Sequence, residues 1–459
     1  MKRSIWGWLA AIGLLLLCAA CQATPTEEAV INLEENSFED IILATSSPEQ
    51  TATPVQHHDV PAHWTEDIVL NDGLTVSVDC DILTGDGEEH PVYQISRLAF
   101  TDSLVYQAIL AVFPDTDGIR EQETSREELL RKLELAERGA YAGEDKNGNP
   151  IWTSYDGQED DIRELQAELE QVPAESTYIP FTPENLAIGD SRSFAVRANG
   201  NADVSVRVTQ ASSKNSLCMN VCSNANIQPE SWVLDGDAIP GEAPHMLENV
   251  TITKADACSL AESVLARLGR TDMALAESES FKARCLDSWD VISEGWQLTY
   301  VTSVPGTEAV NYRYYANSNG LFHQEEDAYA SPWSQERISF YITENGMEAF
   351  TWENAYSMDA IINTDAELLP FTDIQSQVRK QLKYGLSWMT DPVAYGFGDR
   401  ILVTRILLTT TIAKLKDQQD IACLVPTWAI FYIGSGQQGN GYDESLLLIN
   451  AVDGTVIRS

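Results

Sequence analysis

The chain has 459 residues, of which 70 are acidic and 29 basic, giving a formal charge of -41. So acidic a body repels nucleic acid and anionic lipid headgroups, both of which bind basic surfaces, so neither is expected as a direct partner. Hydrophobic residues make up 44%, with 11 Trp, 16 Tyr and 12 Phe, which excludes a wholly disordered chain and supports roughly two to four domains with real cores.

Lys2 to Cys21 indicates where the chain works. Lys2-Arg3 precede an apolar run from Ile5 to Leu17, and Cys18-Ala19-Ala20-Cys21 follow. A positive start, a short apolar core and small residues before the cut make a secretory signal. The run is shorter than the ~20 residues of a membrane span. Ala19-Ala20-Cys21 resembles the bacterial lipobox, in which the cysteine after the cut receives a diacylglyceryl group, although Cys18 stands where that pattern usually has Leu. An ordinary secretory signal cut near Ala23 and an uncleaved anchor helix are the other readings of these residues. The expectation taken forward is lipidation of Cys21. Two acyl chains give stable attachment, to the outer face of the cytoplasmic membrane or to the outer membrane of a diderm cell.

Residues 22–63 read as a polar tether, rich in Thr, Glu, Ser and Pro, whose role is reach from the membrane surface. His57-His58 in this stretch reads as an exposed pair without a metal role. An N-terminal α+β domain is expected over 64–248. Val76, Val78 and Cys80 alternate with polar neighbours as in a half-buried strand, and a second strand is expected over 92–100. Helices are expected over 102–113, after the capping box of Ser125 and Glu128, and along Ile162, Leu165, Leu169 and Val172. Asn199-Gly200-Asn201 signals a hairpin between 193–197 and 204–208.

The second half reads as one pattern used twice. Over 249–370, Thr253 to Asp256 caps a helix carrying Ala257, Leu260, Ala261, Val264 and Leu265, which Gly269 can end. Strands are expected at 296–301, 312–316, 337–342 and 347–352, the last two joined by Asn345-Gly346, a strong hairpin signal. Over 371–459, a capping box at Thr372 to Gln375 opens a helix through Ile374, Val378 and Leu382. Strands then follow at 401–412, 421–433 and 445–450, with a short last strand after Asp453-Gly454. The fold class is therefore α+β, with antiparallel sheets each covered by helices.

Ile252 to Ala257, Ile342 to Trp352, Leu368-Leu369-Pro370-Phe371, Val425-Pro426-Thr427-Trp428 and Ile449 to Gly454 resemble an uncharacterised family of Firmicutes (clostridial) lipoproteins. More remotely, they resemble PepSY-type domains and the membrane-anchored regulators of cell-wall sensor kinases. The stretches span about half of the chain. The resemblance implies two PepSY-like units and a loose expectation of binding or restraining a peptidase or another envelope protein. It supplies no catalytic residue.

Six cysteines lie beyond Cys21: Cys80, Cys218, Cys222, Cys258, Cys285 and Cys423. On one strand, Cys218 and Cys222 share a face about 13 Å apart, too far to bridge each other. Mostly buried thiols are expected, with Cys258 and Cys285 the pair to test. Asp145, Asn147 and Asn149 sit at alternate positions and Asp156 at the twelfth, like a calcium loop, but Pro150 stands where that loop needs Gly, so a polar turn is expected. Gly434 to Gly441 joins two strands without the helix or Lys of a phosphate cradle. GxSxG, SxxK and HExxH are absent. His63, His90, His245 and His323 have no identifiable partner, and Asp160-Asp161 and Glu325-Glu326 read as solvated acidic pairs. No catalytic residue, cofactor or metal is therefore expected. The leading expectation is a non-catalytic, lipid-anchored binding or regulatory protein whose partner is a sensor kinase, peptidase or transporter. A surface hydrolase of unrecognised type and the solute-binding lipoprotein of a transporter are the alternatives.

Overall fold

The computed structural model describes residues 60–71, 74–121, 124–144, 146, 150–198, 202–210, 215–222, 232–234, 250–284, 291–311, 329–330, 333–386, 393, 397–415, 420–437 and 445–458. Leu74–Leu83 (β2) buries every second side chain, as a strand with one core face requires. It pairs antiparallel with His63–Asn71 (β1) and, on its other edge, parallel with Arg400–Lys414 (β18). The meander continues through Ile421–Gly434 (β19), Ser445–Asn450 (β20) and Val456–Arg458 (β21). Tyr329–Ala330 (β14) lies parallel beside β21. Val92–Arg97 (β3) takes up the Ile421 end of β19, and Tyr356–Asn363 (β17) pairs with β3.

The second sheet is antiparallel throughout. Its order is Trp232–Leu234 (β11), Met273–Arg284 (β12), Val291–Thr302 (β13), Arg337–Thr343 (β15), Gly346–Glu353 (β16), Asn215–Cys222 (β10), Ala202–Gln210 (β9), Ser191–Ala198 (β8), Gly118–Arg120 (β4) and Tyr178–Pro180 (β7). β15 and β16 turn through Glu344-Asn345, and Gly346, which opens β16 opposite Thr343, adopts φ +107, a conformation that an L side chain resists.

Helices cover the apolar faces. Asp102–Val112 (α1) starts where the Thr101 hydroxyl accepts the Leu104 N–H. Lys254–Leu268 (α5) starts on the Thr253 hydroxyl and stops at Gly269 in the left-handed region. Val105 and Ile109 of α1 and Ala257, Ala261 and Val264 of α5 pack with Leu298, Phe340 and Phe350 of the second sheet. On the first sheet, Phe371–Gly385 (α6) lays Ile374, Val378 and Leu382 against Trp428, Ile430 and Leu447. The Phe371 ring meets Trp428 edge-on at 5.0 Å and Trp64 at 6.1 Å. Burying each large aliphatic side chain in such a stripe stabilises by about 1.5–3 kcal/mol.

Between β4 and β7 the chain makes an excursion. Arg126–Arg138 (α2) carries the full Ser125–Glu128 capping box. A hairpin of Ala140–Glu144 (β5) and Pro150–Thr153 (β6) follows, then Gln158–Gln171 (α3), none of whose residues is buried. A single turn, Pro183–Leu186 (α4), leads into β8.

The mixture is α+β and dominated by strands, and the helix-then-meander order recurs: α5 with β12, β13, β15 and β16, then α6 with β18 to β21. The boundaries expected at 248 and 370 do not separate the sheets. β16 pairs with β10, while β2 and β3 pair with β18 and β19, so each sheet draws strands from both sides of 248. Unpaired N–H and C=O groups along a meander edge need partners, and here distant strands supply them. Among the described residues neither sheet shows the alternating βα order that a solute-binding lipoprotein implies. The capping box at Thr372 to Gln375 is displaced: the helix begins at Phe371, directly after Pro370, which suits a first turn. The expected strand at 312–316, the turn at 199–201 and residues 1–59, with Cys21 and His57-His58, lie outside the described residues, as does Cys285. Among the described residues no helix is long and apolar enough to cross a membrane.

Candidate functional site

The second sheet has a core face and a polar face, and the strand register aligns the polar one into rows. One row runs Glu277, Thr299, Ser339, Thr351, Cys218, Arg207 and Ser193 across seven strands. The next runs Glu279, Gln297, Tyr341, Ala349, Asn220 and Ser205. A third sets Arg337 opposite Glu353 and Glu353 opposite Ser216. The intervening residues, such as Leu298, Phe340 and Phe350, fill the core on the far side, as period-two alternation demands.

The rows are open at Arg207 and Ser193 and become buried towards Thr299 and Ser339. There the face forms a cleft of about 100 Å³, lined by Gln297 and Thr299 of β13, Arg337, Ser339 and Tyr341 of β15, Thr351 and Glu353 of β16, and Asn311. The Arg337 guanidinium is paired with the Glu353 carboxylate. Asn311 Nδ2 donates to Glu277 Oε2 at 2.8 Å, and the Thr299 and Ser339 hydroxyls lie 3.1 Å apart. Burial pushes the Glu277 carboxyl above its ordinary range, against the Asn311 amide and the charges of Arg405 and Arg337. Arg405 belongs to β18, where it stacks 4.1 Å from the Phe431 ring centroid, so the first sheet borders this corner. The Tyr341 ring is held edge-on by Phe281 at 5.5 Å. Gln297 Oε1 is buried and accepts no hydrogen bond.

Two other ionic clusters are closed on themselves. Arg270, just past the end of α5, forks onto Asp272 at 2.8 and 2.9 Å and onto Glu336, which is fully buried. Trp352 Nε1 donates to Glu336 Oε1 at 2.8 Å, and Thr302 Oγ1 donates to Oε2 at 3.2 Å. Burial opposes the Arg270 charge, but Glu336 and Asp272 outweigh it and hold the guanidinium protonated. Arg120 spans Asp203 at 2.7 Å and Glu128 at 2.9 Å, and Tyr178 Oη donates to Asp203 at 2.8 Å. Every carboxylate in both clusters accepts from at least one protein donor, the arrangement that buried charges require.

No protein-family model matches the chain, and no curated protein matches it. Among solved structures, an uncharacterised protein from Eubacterium rectale is similar at 14% identity, covering 92% of this chain and 99% of its own, with a TM-score of 0.43. The C-terminal domain of Bacillus megaterium YpeB is similar at 11% identity, covering 59% of this chain and 89% of its own, with a TM-score of 0.21.

The histidines are not brought together. His63 bridges Asp81 and Asp79 at 2.8 and 2.9 Å on the exposed face of β1 and β2, and those two carboxylates raise its pKa. His90 is buried, with its backbone N–H on Asp365. His245 and His323 lie outside the described residues, as do Glu325-Glu326 and, of the calcium-like turn, Asp145, Asn147 and Asn149. Asp156 is exposed, and Asp160-Asp161 opens the exposed helix α3. Gly434 closes β19 with a backbone turn to Gln437. Cys80 and Cys258 carry free thiols, and burial pushes the Cys80 thiol up to about 11. Cys218 and Cys222 share β10, as the spacing argument required. Among the described residues no group of three or more His, Cys, Asp or Glu side chains could hold a metal ion.

The polar rows escaped the sequence reading because each strand shows only its own alternation. Register, which places Thr299, Ser339 and Thr351 side by side, comes from pairings between separate strands, Thr299 with Ser339 and Ser339 with Thr351.

Proposed function

We propose that the chain is a lipid-anchored extracytoplasmic protein that binds or regulates an envelope partner and performs no chemistry of its own. Cys21 is the lipidated residue, the stretch between it and β1 supplies reach, and the acidic α+β body is presented to a sensor kinase, peptidase or transporter. One observation carries this reading. The buried ionic clusters around Glu336 and Arg120 are paired among protein groups, whereas the cleft on the polar face is lined by hydroxyls, amides and a paired Arg–Glu. Such groups recognise more readily than they transform. The helix-then-meander order recurs in the second half, and the resemblance of that half to PepSY-type domains carries a loose expectation of binding or restraining an envelope protein.

The test is in-cell crosslinking of the tagged full-length chain, followed by mass spectrometry. Stoichiometric recovery of one envelope protein is the expected result. Recovery of only abundant wall proteins, together with hydrolysis of a wall polymer by the purified chain, would overturn the reading in favour of a surface hydrolase.

A further inference from the structure

His63, the first residue of β1, is tied to β2 through its side chain. The Ile82 N–H donates to the Ala62 carbonyl at 3.0 Å, so the even-numbered residues at this end of β1 exchange backbone bonds with β2. His63 stands opposite Asp81 in a pair that exchanges none, and its own N–H and C=O point to the outer edge. Its imidazole bridges two carboxylates, with Nδ1 2.8 Å from Asp81 Oδ1 and Nε2 2.9 Å from Asp79 Oδ1. An ionised carboxylate only accepts, so both contacts are hydrogen bonds only in the imidazolium, where both ring nitrogens carry a proton. The neutral ring has one N–H, and its other nitrogen sets a lone pair against a carboxylate. Asp81 and Asp79 are the charges that act on the ring, and they hold its pKa above the ordinary 6.5. Thr65 Oγ1 also donates to Asp79, at 3.4 Å. Further along the same face Asp67 meets Arg400 at 3.7 Å, and β18 carries Arg405, stacked on Phe431, at its bulge between Val403 and Ile406. Cys80 faces the core, and Glu66 is paired with Arg379 of α6 on that side.

We propose that His63, Asp79 and Asp81 form a proton-operated latch where the chain enters the body: with the proton bound the end of β1 is closed on β2, and when the proton leaves it opens as far as Trp64. The latch goes beyond the partner-binding function and does not depend on it. Exposed ion pairs are worth too little to unfold a sheet. The end of an edge strand, however, opens locally at far lower cost than a core strand, so a small change in free energy shifts its population. Opening stops at Trp64, whose ring is buried against Phe371 and lies under the Arg379 guanidinium. Freeing Ala62 and His63 lengthens the approach to the body by about 7 Å, at ~3.3 Å per residue. The closed end binds the proton more tightly than the open end does. The closed form therefore has its full advantage below pH 6.5 and loses it as pH rises through the higher pKa of the closed state.

The experiment is hydrogen–deuterium exchange with mass spectrometry on the full-length protein in detergent, from about pH 5.5 to about pH 8.5, corrected for the intrinsic pH dependence of exchange. Slow exchange at the imidazole C2–H, followed in the same samples, gives the titration of His63 itself. The expected result is that His63 titrates above 6.5. Across that titration the Ile82 amide, which the Ala62 carbonyl covers, loses about threefold or more of its protection. In Asp79→Asn/Asp81→Asn the titration returns to the ordinary value. In His63→Gln the protection of Ile82 no longer follows pH, and in every variant the amides of β18 and β19 stay protected, which separates a local latch from a loosened fold. Three outcomes overturn the proposal: His63 titrating at or below 6.5 in the wild type; the same pH dependence at Ile82 in His63→Gln; or a parallel loss of protection in β18 and β19.

Discussion

Replacing Glu336 with Gln removes the centre of the buried network that pins the end of α5 to the second sheet. Glu336 is 0% exposed and accepts from both arms of Arg270, from Trp352 Nε1 and from Thr302 Oγ1. Removing one partner of a buried ion pair costs about 3–5 kcal/mol. Arg270 keeps its fork on Asp272, which puts this part near the low end, at about 3 kcal/mol. The new amide N–H₂ also faces donors, leaving at least one N–H without an acceptor at about 1 kcal/mol or more. The loss should therefore be about 4 kcal/mol. Urea unfolding followed by tryptophan fluorescence measures it as a shift in midpoint at unchanged slope. The double variant Arg270→Met/Glu336→Leu should lose less than Glu336→Gln, because an apolar replacement of the whole pair leaves no buried charge. A loss below ~1 kcal/mol for Glu336→Gln would refute the assigned role, as would a double variant worse than the single.

Cys21→Ala should release the protein from the membrane fraction or stall its maturation, read by fractionation and intact mass; normal processing with full membrane retention would count against the anchor. Glu277 has a raised pKa, so the folded state binds its proton more tightly than the unfolded chain does. Its effect is therefore most favourable below the unfolded carboxyl pKa, and that advantage is lost as pH rises through the higher folded value. Glu277→Gln should accordingly raise the melting temperature at neutral pH more than at pH 4, and an equal change at both would sink the assignment. Leu382→Ala removes a fully buried contact of α6 and should cost about 2–5 kcal/mol in the same urea assay.

Local chemistry was legible where it is self-contained. The Ser125–Glu128 box and the Thr253 cap with its Gly269 stop stand as their residues dictate, and the hairpin signalled by Asn345-Gly346 forms one residue earlier, with Glu344-Asn345 as its loop. Strand β12 was missed because Met-Ala-Leu-Ala-Glu-Ser-Glu-Ser carries few β-branched or aromatic residues. It is a strand because β13 pairs along its length. The sheet-sharing between residues near 80 and near 400 left no local trace either, since a parallel partner is chosen by edge geometry and burial, not by neighbouring sequence. The cleft inherits that opacity. Its groups are ordinary polar residues in their strands and become a site only through register.

The edge position of β1 has a mechanical consequence. If the chain is held from its N-terminus, load enters the body just before His63, the first residue of a strand that among the described strands pairs with β2 alone. Because β1 and β2 are antiparallel, that pull would open their hydrogen bonds in succession, as a zipper opens, instead of shearing them all at once. The first firm stop along the way is Glu66, clasped by both arms of Arg379 from α6 at 2.7 and 2.8 Å, with the guanidinium stacked over Trp64. The N-terminal strand is thus riveted to a helix more than 300 residues away, and tension on the leash would be felt first in the C-terminal helix.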